Sequence, residues 1–400
     1  MKKNELYTII ITNYNNSKYL KNAINSVLNQ KYNNIELIIT DDNSTEFNLE
    51  NIKKYIEKKK KKNIKSVKYI INDKNIGTIK TLNKAIKLSS GEYIQFFASD
   101  DELYDENVIE NFVFSFKKSN SNIVSSQFRL CDNNMNFINN FNNSRKCLRL
   151  NKNLKKQYYE VCKNNIYGSG ATSYRRIIFE KYGLIDTKYL LLEDWPLWLQ
   201  LLNKGEKIFY ENFNGLNHRD GGISKTKEMS KITKVFNEEI INTFIYEILP
   251  NIINFNVYEQ FKILKSFNYH IDNYVPENER VNYINKLNRI INSNMKLKLL
   301  WGIDHYFPNI IEKIIILFKY NIIVPISFLV AYIFIFILIN IIDINKDLLL
   351  IIFLGIYFFL YVTMNIISNF IKIKKGQTPL SHKRRIPPPF ISHQSFKRLR

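Results

Sequence analysis

The chain has 400 residues and a formal net charge of +22, with 45% hydrophobic and 14% aromatic residues. That length and apolar content exclude a disordered or disulfide-stapled mini-protein and leave room for a catalytic-sized domain with further segments. The basic residues do not make a nucleic-acid face: Lys58 to Lys62 form one run and Lys383, Arg384, Arg385, Lys397, Arg398 and Arg400 another, without aromatic residues interleaved.

Leu6 to Ile11 is a short apolar run, suited to a parallel strand covered on both faces. It breaks into the polar turn Thr12-Asn13-Tyr14-Asn15-Asn16-Ser17, after which Tyr19, Leu20, Ala23, Ile24, Val27 and Leu28 recur at helical spacing. Ile35 to Ile39 is a second strand and ends in Thr40-Asp41-Asp42-Asn43-Ser44-Thr45. Val67 to Ile71 is a third, Thr78 to Leu88 a helix, and Tyr93 to Phe97 a fourth strand. Strands alternating with helices imply right-handed βαβ units and a mostly parallel sheet. No Gly-x-Gly-x-x-Gly follows the first strand, so a nucleotide would be held by side chains such as Thr12, Tyr14 and Asp42.

The fourth strand runs into Asp100-Asp101. In an open α/β sheet, ligands bind beyond the carboxyl ends of the strands. Two adjacent acids there suit a hard cation, one ligating Mg2+ or Mn2+ and the other holding a neighbouring hydroxyl.

Residues 120–183 are expected to complete the sheet, with Gly168-Ser169-Gly170-Ala171-Thr172 as a tight loop. Leu190, Leu191 and Leu192 precede Glu193-Asp194, and Leu197, Trp198, Leu201 and Leu202 follow at helical spacing. Asp194 therefore stands near the start of a helix whose apolar side is buried. Downstream, Lys225 to about Pro308 reads as helical, with Phe236, Ile240, Phe244 and Ile248 on one stripe. Tyr320 to Ile342 and Leu348 to Ile371 are uncharged stretches long enough to span a bilayer, separated by Asp343 to Asp347. Lysines before and after the pair put both ends in the cytoplasm by the positive-inside rule. Met1-Lys2-Lys3-Asn4-Glu5 leads into a strand too short for the core of a signal peptide. Three cysteines without metal-ligand spacing suit a reducing compartment.

These blocks together resemble the family-2 glycosyltransferases of the GT-A, nucleotide-diphospho-sugar transferase, fold. The resemblance rests on Ile10-Ile11-Thr12-Asn13-Tyr14-Asn15, Glu36 to Ser44, Asn75-Ile76-Gly77 with Asn83-Lys84-Ala85, Gly91 to Asp101, and Glu193-Asp194-Trp195-Pro196-Leu197-Trp198. It implies an inverting transfer of a sugar from a nucleotide-sugar, a UDP-sugar, to a hydroxyl of a lipid-linked or cell-surface glycan. It further implies that Thr12 and Tyr14 line the nucleobase pocket and that Asp42 accepts from a uracil N–H. By the same resemblance, Asp100 stands beside the ribose, Asp101 binds the Mn2+ or Mg2+ on the diphosphate, and His218 joins the metal or phosphate. Asp194 is then the general base. Ala98 departs from the Asp-x-Asp pattern of many members. Alternatives are a polyprenyl-phosphate glycosyltransferase and a non-catalytic nucleotide-sugar-binding protein that keeps the fold.

The expected organisation is a catalytic domain over 1–224, a helical extension over 225–312, a two-helix membrane hairpin over 313–375 and a basic disordered tail over 376–400. The expected location is the inner (plasma) membrane, multi-pass, with the catalytic domain in the cytoplasm and no nucleic-acid partner.

Overall fold

The computed structural model describes residues 5–220 and 231–306. Residues 1–301 form one compact unit, and the second unit, 302–400, contributes only the end of a helix to the described residues.

The first half is built from alternating strands and helices: β1 (Tyr7–Asn13), α1 (Ser17–Leu28), β2 (Ile35–Asp41), α2 (Leu49–Lys59), β3 (Ile64–Ile71), α3 (Thr78–Leu88) and β4 (Tyr93–Ala98). The apolar runs become strands because both faces are covered: every residue of β2 is buried, as are all of β1 except Thr12. Leu20, Ala23, Ile24, Val27 and Leu28 turn the inner side of α1 onto the same core. β1 pairs in parallel with β2 on one side and β4 on the other, and β2 continues to β3. The chain thus steps outward from β1 to β3 and returns across to β4. The β1–β4 seam is the point where strand order reverses, and such seams open a crevice at their carboxyl ends.

The second half differs from a parallel sheet. It comprises β5 (Glu102–Leu103), α4 (Val108–Ser119), β6 (Ile123–Cys131), β7 (Phe137–Asn140), α5 (Ser144–Leu150), α6 (Leu154–Lys163), β8 (Thr172–Arg175), α7 (Ile177–Tyr182), α8 (Trp195–Asn203) and β9 (Ile208–Arg219). The strand order is β3-β2-β1-β4-β8-β6-β9-β5, with β7 on the side of β6. β8 runs antiparallel to both β4 and β6, and β5 antiparallel to β9, whereas β6 and β9 are parallel. The expected mostly parallel sheet is therefore mixed, parallel over β1 to β4 and interrupted by the antiparallel β8.

Beyond residue 230 the chain is helical: α9 (Lys231–Thr243), a π-helical turn (Phe244–Ile248), a 3-10 turn (Leu249–Asn254), α10 (Val257–Tyr274), α11 (Arg280–Asn292) and α12 (Met295–Tyr306). Ile240, Phe244 and Ile248 are buried as their stripe requires. Phe244, in the π-helical turn, packs on Phe267 and His270 of α10 and meets Trp195 edge-on.

One expectation is corrected. No helix among the described residues is long and apolar enough to cross a membrane, which overturns the multi-pass inner-membrane placement. The longest of them, α10, has 18 residues and carries Glu259, Lys262, Lys265 and Asp272. The two expected spans, 320–342 and 348–371, and the tail lie outside the described residues.

Candidate active site

Three strand ends are laced together at the seam. Ser99, just past β4, donates its backbone N–H to Thr12 O and its hydroxyl to Asn13 Oδ1, both at 2.8 Å. Asn13 in turn donates to Asp41 Oδ1 at 2.7 Å, and Asp41 accepts the backbone N–H and hydroxyl of Ser44 at 2.9 and 2.6 Å. Asp41 is consumed by this turn. Asn15 and Asn43 take left-handed backbone conformations (φ 49° and 64°) that let the two turns fold tightly, a conformation asparagine tolerates better than most residues. Tyr14, between them, is 42% exposed and presents its ring at the strand end.

Asp42 is buried and points the other way. Its Oδ1 accepts Asn72 Nδ2 and the Ile76 N–H, both at 2.9 Å, and its Oδ2 accepts the Gly77 N–H at 2.8 Å. The carboxylate therefore fixes the loop that starts α3. Gly77 (φ 91°) supplies the turn there. Among the described residues no second donor reaches Oδ2, which keeps acceptor capacity for a ligand N–H.

Asp100 and Asp101 follow β4 as expected. Burial, then the charge of Asp101, raises the Asp100 carboxyl above its ordinary range. Asp101 is 5% exposed; its Oδ1 lies 2.8 Å from His218 Nδ1 and accepts the Arg219 N–H at 3.2 Å. His218 stands at the end of β9, its ring stacked on Phe128 at 4.9 Å. The parallel β6–β9 pair thus carries the histidine to the same end of the sheet as the acids. Among the described residues no group of three or more His, Cys, Asp or Glu is arranged to hold a metal ion.

Arg219, noted beside His218 in the sequence, has a part there that the sequence did not assign. Its guanidinium lies over the Tyr19 ring at 3.9 Å and donates to Asp100 O, Glu102 Oε1 and Asn133 O. It fastens the Asp100–Glu102 turn from beneath, which also orients Asp101.

Glu193 and Asp194 reach this end of the sheet from the other side. Ser169, in the loop before β8, donates to Glu193 Oε1 at 2.7 Å. The next residue, Gly170, sits so close to β4 that a Cβ would come within 2.8 Å of Phe97 Cβ, which ties that loop to the strand end. The preceding Leu190 accepts the Ile79 N–H, beside the Gly77 that Asp42 holds. Asp194 caps α8, accepting the Trp195 N–H at 2.6 Å and Asn165 Nδ2 at 3.0 Å. Burial raises both carboxyls, and the charge of Asp194 raises Glu193 further. Lys80 lines an outer groove with Lys84, Lys87 and Asp186.

Comparison with known proteins bears on these residues. The family model described as "Glycosyl transferase family 2" matches residues 8–183, which include every strand-end acid of the seam and stop short of Glu193, Asp194 and His218. An uncharacterized glycosyltransferase of Haemophilus influenzae is 33% identical over 127 residues, 32% of this chain and 48% of that protein. The processive diacylglycerol beta-glycosyltransferase of Mycoplasma genitalium is 28% identical over 232 residues, 56% of this chain and 66% of that protein. The putative colanic acid biosynthesis glycosyl transferase WcaA of Escherichia coli is 40% identical over 102 residues, 26% of this chain and 35% of that protein. The chain spans less than two thirds of the length of each of these three relatives. Among solved structures, S. aureus TarS 1-349 in complex with UDP-GlcNAc aligns with a TM-score of 0.43 at 16% identity, covering 68% of this chain and 82% of that one. The family match and these glycosyltransferase relatives coincide with the mixed α/β sheet and its seam of acids: residues 8–183 are similar to the glycosyl transferase family 2.

Proposed function

We propose that the protein is an inverting glycosyltransferase that moves a sugar from a nucleotide-sugar, a UDP-sugar, to a hydroxyl of a glycan acceptor. The observation that carries this reading is the convergence of Asp42, Asp100 and Asp101 with the Glu193-Asp194 loop at one end of the sheet around the β1–β4 seam. Tyr14 offers a ring for the base to stack on, Thr12 lines the crevice beside it, and Asp42 Oδ2 accepts the base N–H. Asp100 accepts from the ribose. Asp101 and His218 would hold the Mn2+ or Mg2+, whose contribution is to neutralise charge on the departing diphosphate.

The chain's own contribution to bond-making is a base. As the acceptor hydroxyl attacks the anomeric carbon, its proton passes to the Asp194 carboxylate, the new C–O bond forms, and the bond to the diphosphate breaks. Burial raises the Asp194 carboxyl, which makes it a stronger proton acceptor than an ordinary aspartate.

The test pairs two variants. Asp194→Asn keeps the shape of the cap and loses the base, so sugar transfer should fall by about 10² to 10⁴ with donor affinity unchanged. Asp101→Asn should weaken Mn2+-dependent binding of UDP. Parent-rate transfer by Asp194→Asn would remove the base assignment, and tight donor binding by a parent that transfers to no glycan would favour a binding protein instead.

A further inference from the structure

The loop that delivers Glu193 and Asp194 is held by a residue from the helical extension. Glu239 of α9 is buried, and its carboxylate receives three successive backbone N–H groups: Leu190 to Oε1 at 2.5 Å, and Leu191 and Leu192 to Oε2 at 3.1 and 2.8 Å. Three consecutive amides converging on one carboxylate restrict the segment, and losing the Leu192 bond would strand a buried donor. The segment is also tied at both ends. Lys188 and Tyr189 reach Glu247 at 2.6 and 3.1 Å, and Leu190 O accepts the Ile79 N–H of α3. On the far side, Trp195 meets Phe244 edge-on and lies near His270.

We propose that Glu239 is a positioning residue for sugar transfer: its carboxylate seats residues 190–192 so that the Glu193-Asp194 pair faces the donor crevice. This rests on the reading of Asp194 as base. The crevice residues take their own hydrogen bonds elsewhere. Thr12, Asp42, Asp100 and Asp101 are fixed by contacts within β1 to β4, the loop before α3, and β9. A defect at Glu239 therefore separates turnover from donor binding, which a general loss of fold would not do.

Glu239→Gln preserves size but sets an NH2 group against at least one of the three amides. Hydrogen exchange at Leu190, Leu191 and Leu192 should accelerate at least about tenfold while the amides of β1 and β4 keep parent protection. Release of UDP, followed with whichever of UDP-glucose, UDP-galactose and UDP-N-acetylglucosamine the parent turns over, should fall at least about tenfold. Binding of UDP with Mn2+ should stay within about twofold of the parent. Glu239→Asp, which retains the charge on a shorter stem, should recover part of both the protection and the rate. Asp194→Asn run alongside keeps the two readings apart, because it should lose rate with parent protection at residues 190–192. If Asp194→Asn retains the parent rate, the base assignment fails while the seating of the loop is still read from the exchange. Unchanged exchange at residues 190–192 in Glu239→Gln, or parent-rate UDP release, would overturn the proposal. So would a loss of UDP binding equal to the loss of rate.

Discussion

Glu193 and Asp194 share one short segment and one low-dielectric setting, and both carboxyls hold their protons more tightly than ordinary acids do. The sign for stability follows from proton counting. Between the ordinary carboxylate range and the raised native value, the native state binds more protons than the unfolded chain, so stability falls as pH rises through that window. Activity runs the other way, since a base must be ionised to work. Glu193→Gln, which is always neutral, escapes the penalty. Its melting temperature relative to the parent should climb between about pH 5 and about pH 9, a trend differential scanning calorimetry would check. A difference that stays flat or narrows would mean that Glu193 is an ordinary acid. The motif pattern marked these two acids and those of the seam, which the fold brings to one end of the sheet. It did not mark Asn13, Ser99, Asn165 or Ser169, which aim them, because an Asn or Ser in a turn carries no signal until its partner from a distant strand is in view.

Among the elements, the seam depends on how closely β1 can approach the turn before β4. Gly91 lies in that turn, and a Cβ there would come within 2.5 Å of Thr8 Oγ1, 2.7 Å of Thr8 N and 2.8 Å of Leu6 O. Two of those neighbours are backbone, so the strand itself would have to move. Gly91→Ala should therefore cost roughly 1–3 kcal/mol in urea unfolding, as overpacking typically does. A parent-like midpoint would show that β1 can yield. The elements β1 to β4 were legible because long apolar runs alternate with helical stripes. The later strands were not. β5 has two residues, and β7 has four, all of them exposed, so neither carries an alternation to read. β9 is long but interrupts its pattern with Glu211, Asn212 and Asn214, and its parallel register with β6 shifts twice.

At the scale of the whole molecule, the family match ends at residue 183, yet the acidic loop of residues 190–194 leans on helices beyond residue 230. A chain ending at Asp220 would strip Glu239 from that loop and Phe244 and His270 from Trp195, which is otherwise 3% exposed. Against a full-length Trp301→Phe control, its tryptophan emission should shift to the red and its melting temperature should drop. Trp198, which donates to the Tyr174 hydroxyl, should remain quiet. Identical emission and melting would show that the extension is dispensable. This dependence was hidden in the sequence because Glu239 acts across 47 to 49 residues on backbone amides, which every residue type but proline presents alike.

That spacing along the chain has a consequence for a protein made from its N-terminus onward, where folding proceeds as segments emerge. The residues proposed to hold the donor have all emerged by about residue 219, whereas Glu239, the proposed anchor of residues 190–192, follows later. On the ribosome, the proposed donor crevice can therefore form before the loop of the proposed base is fastened.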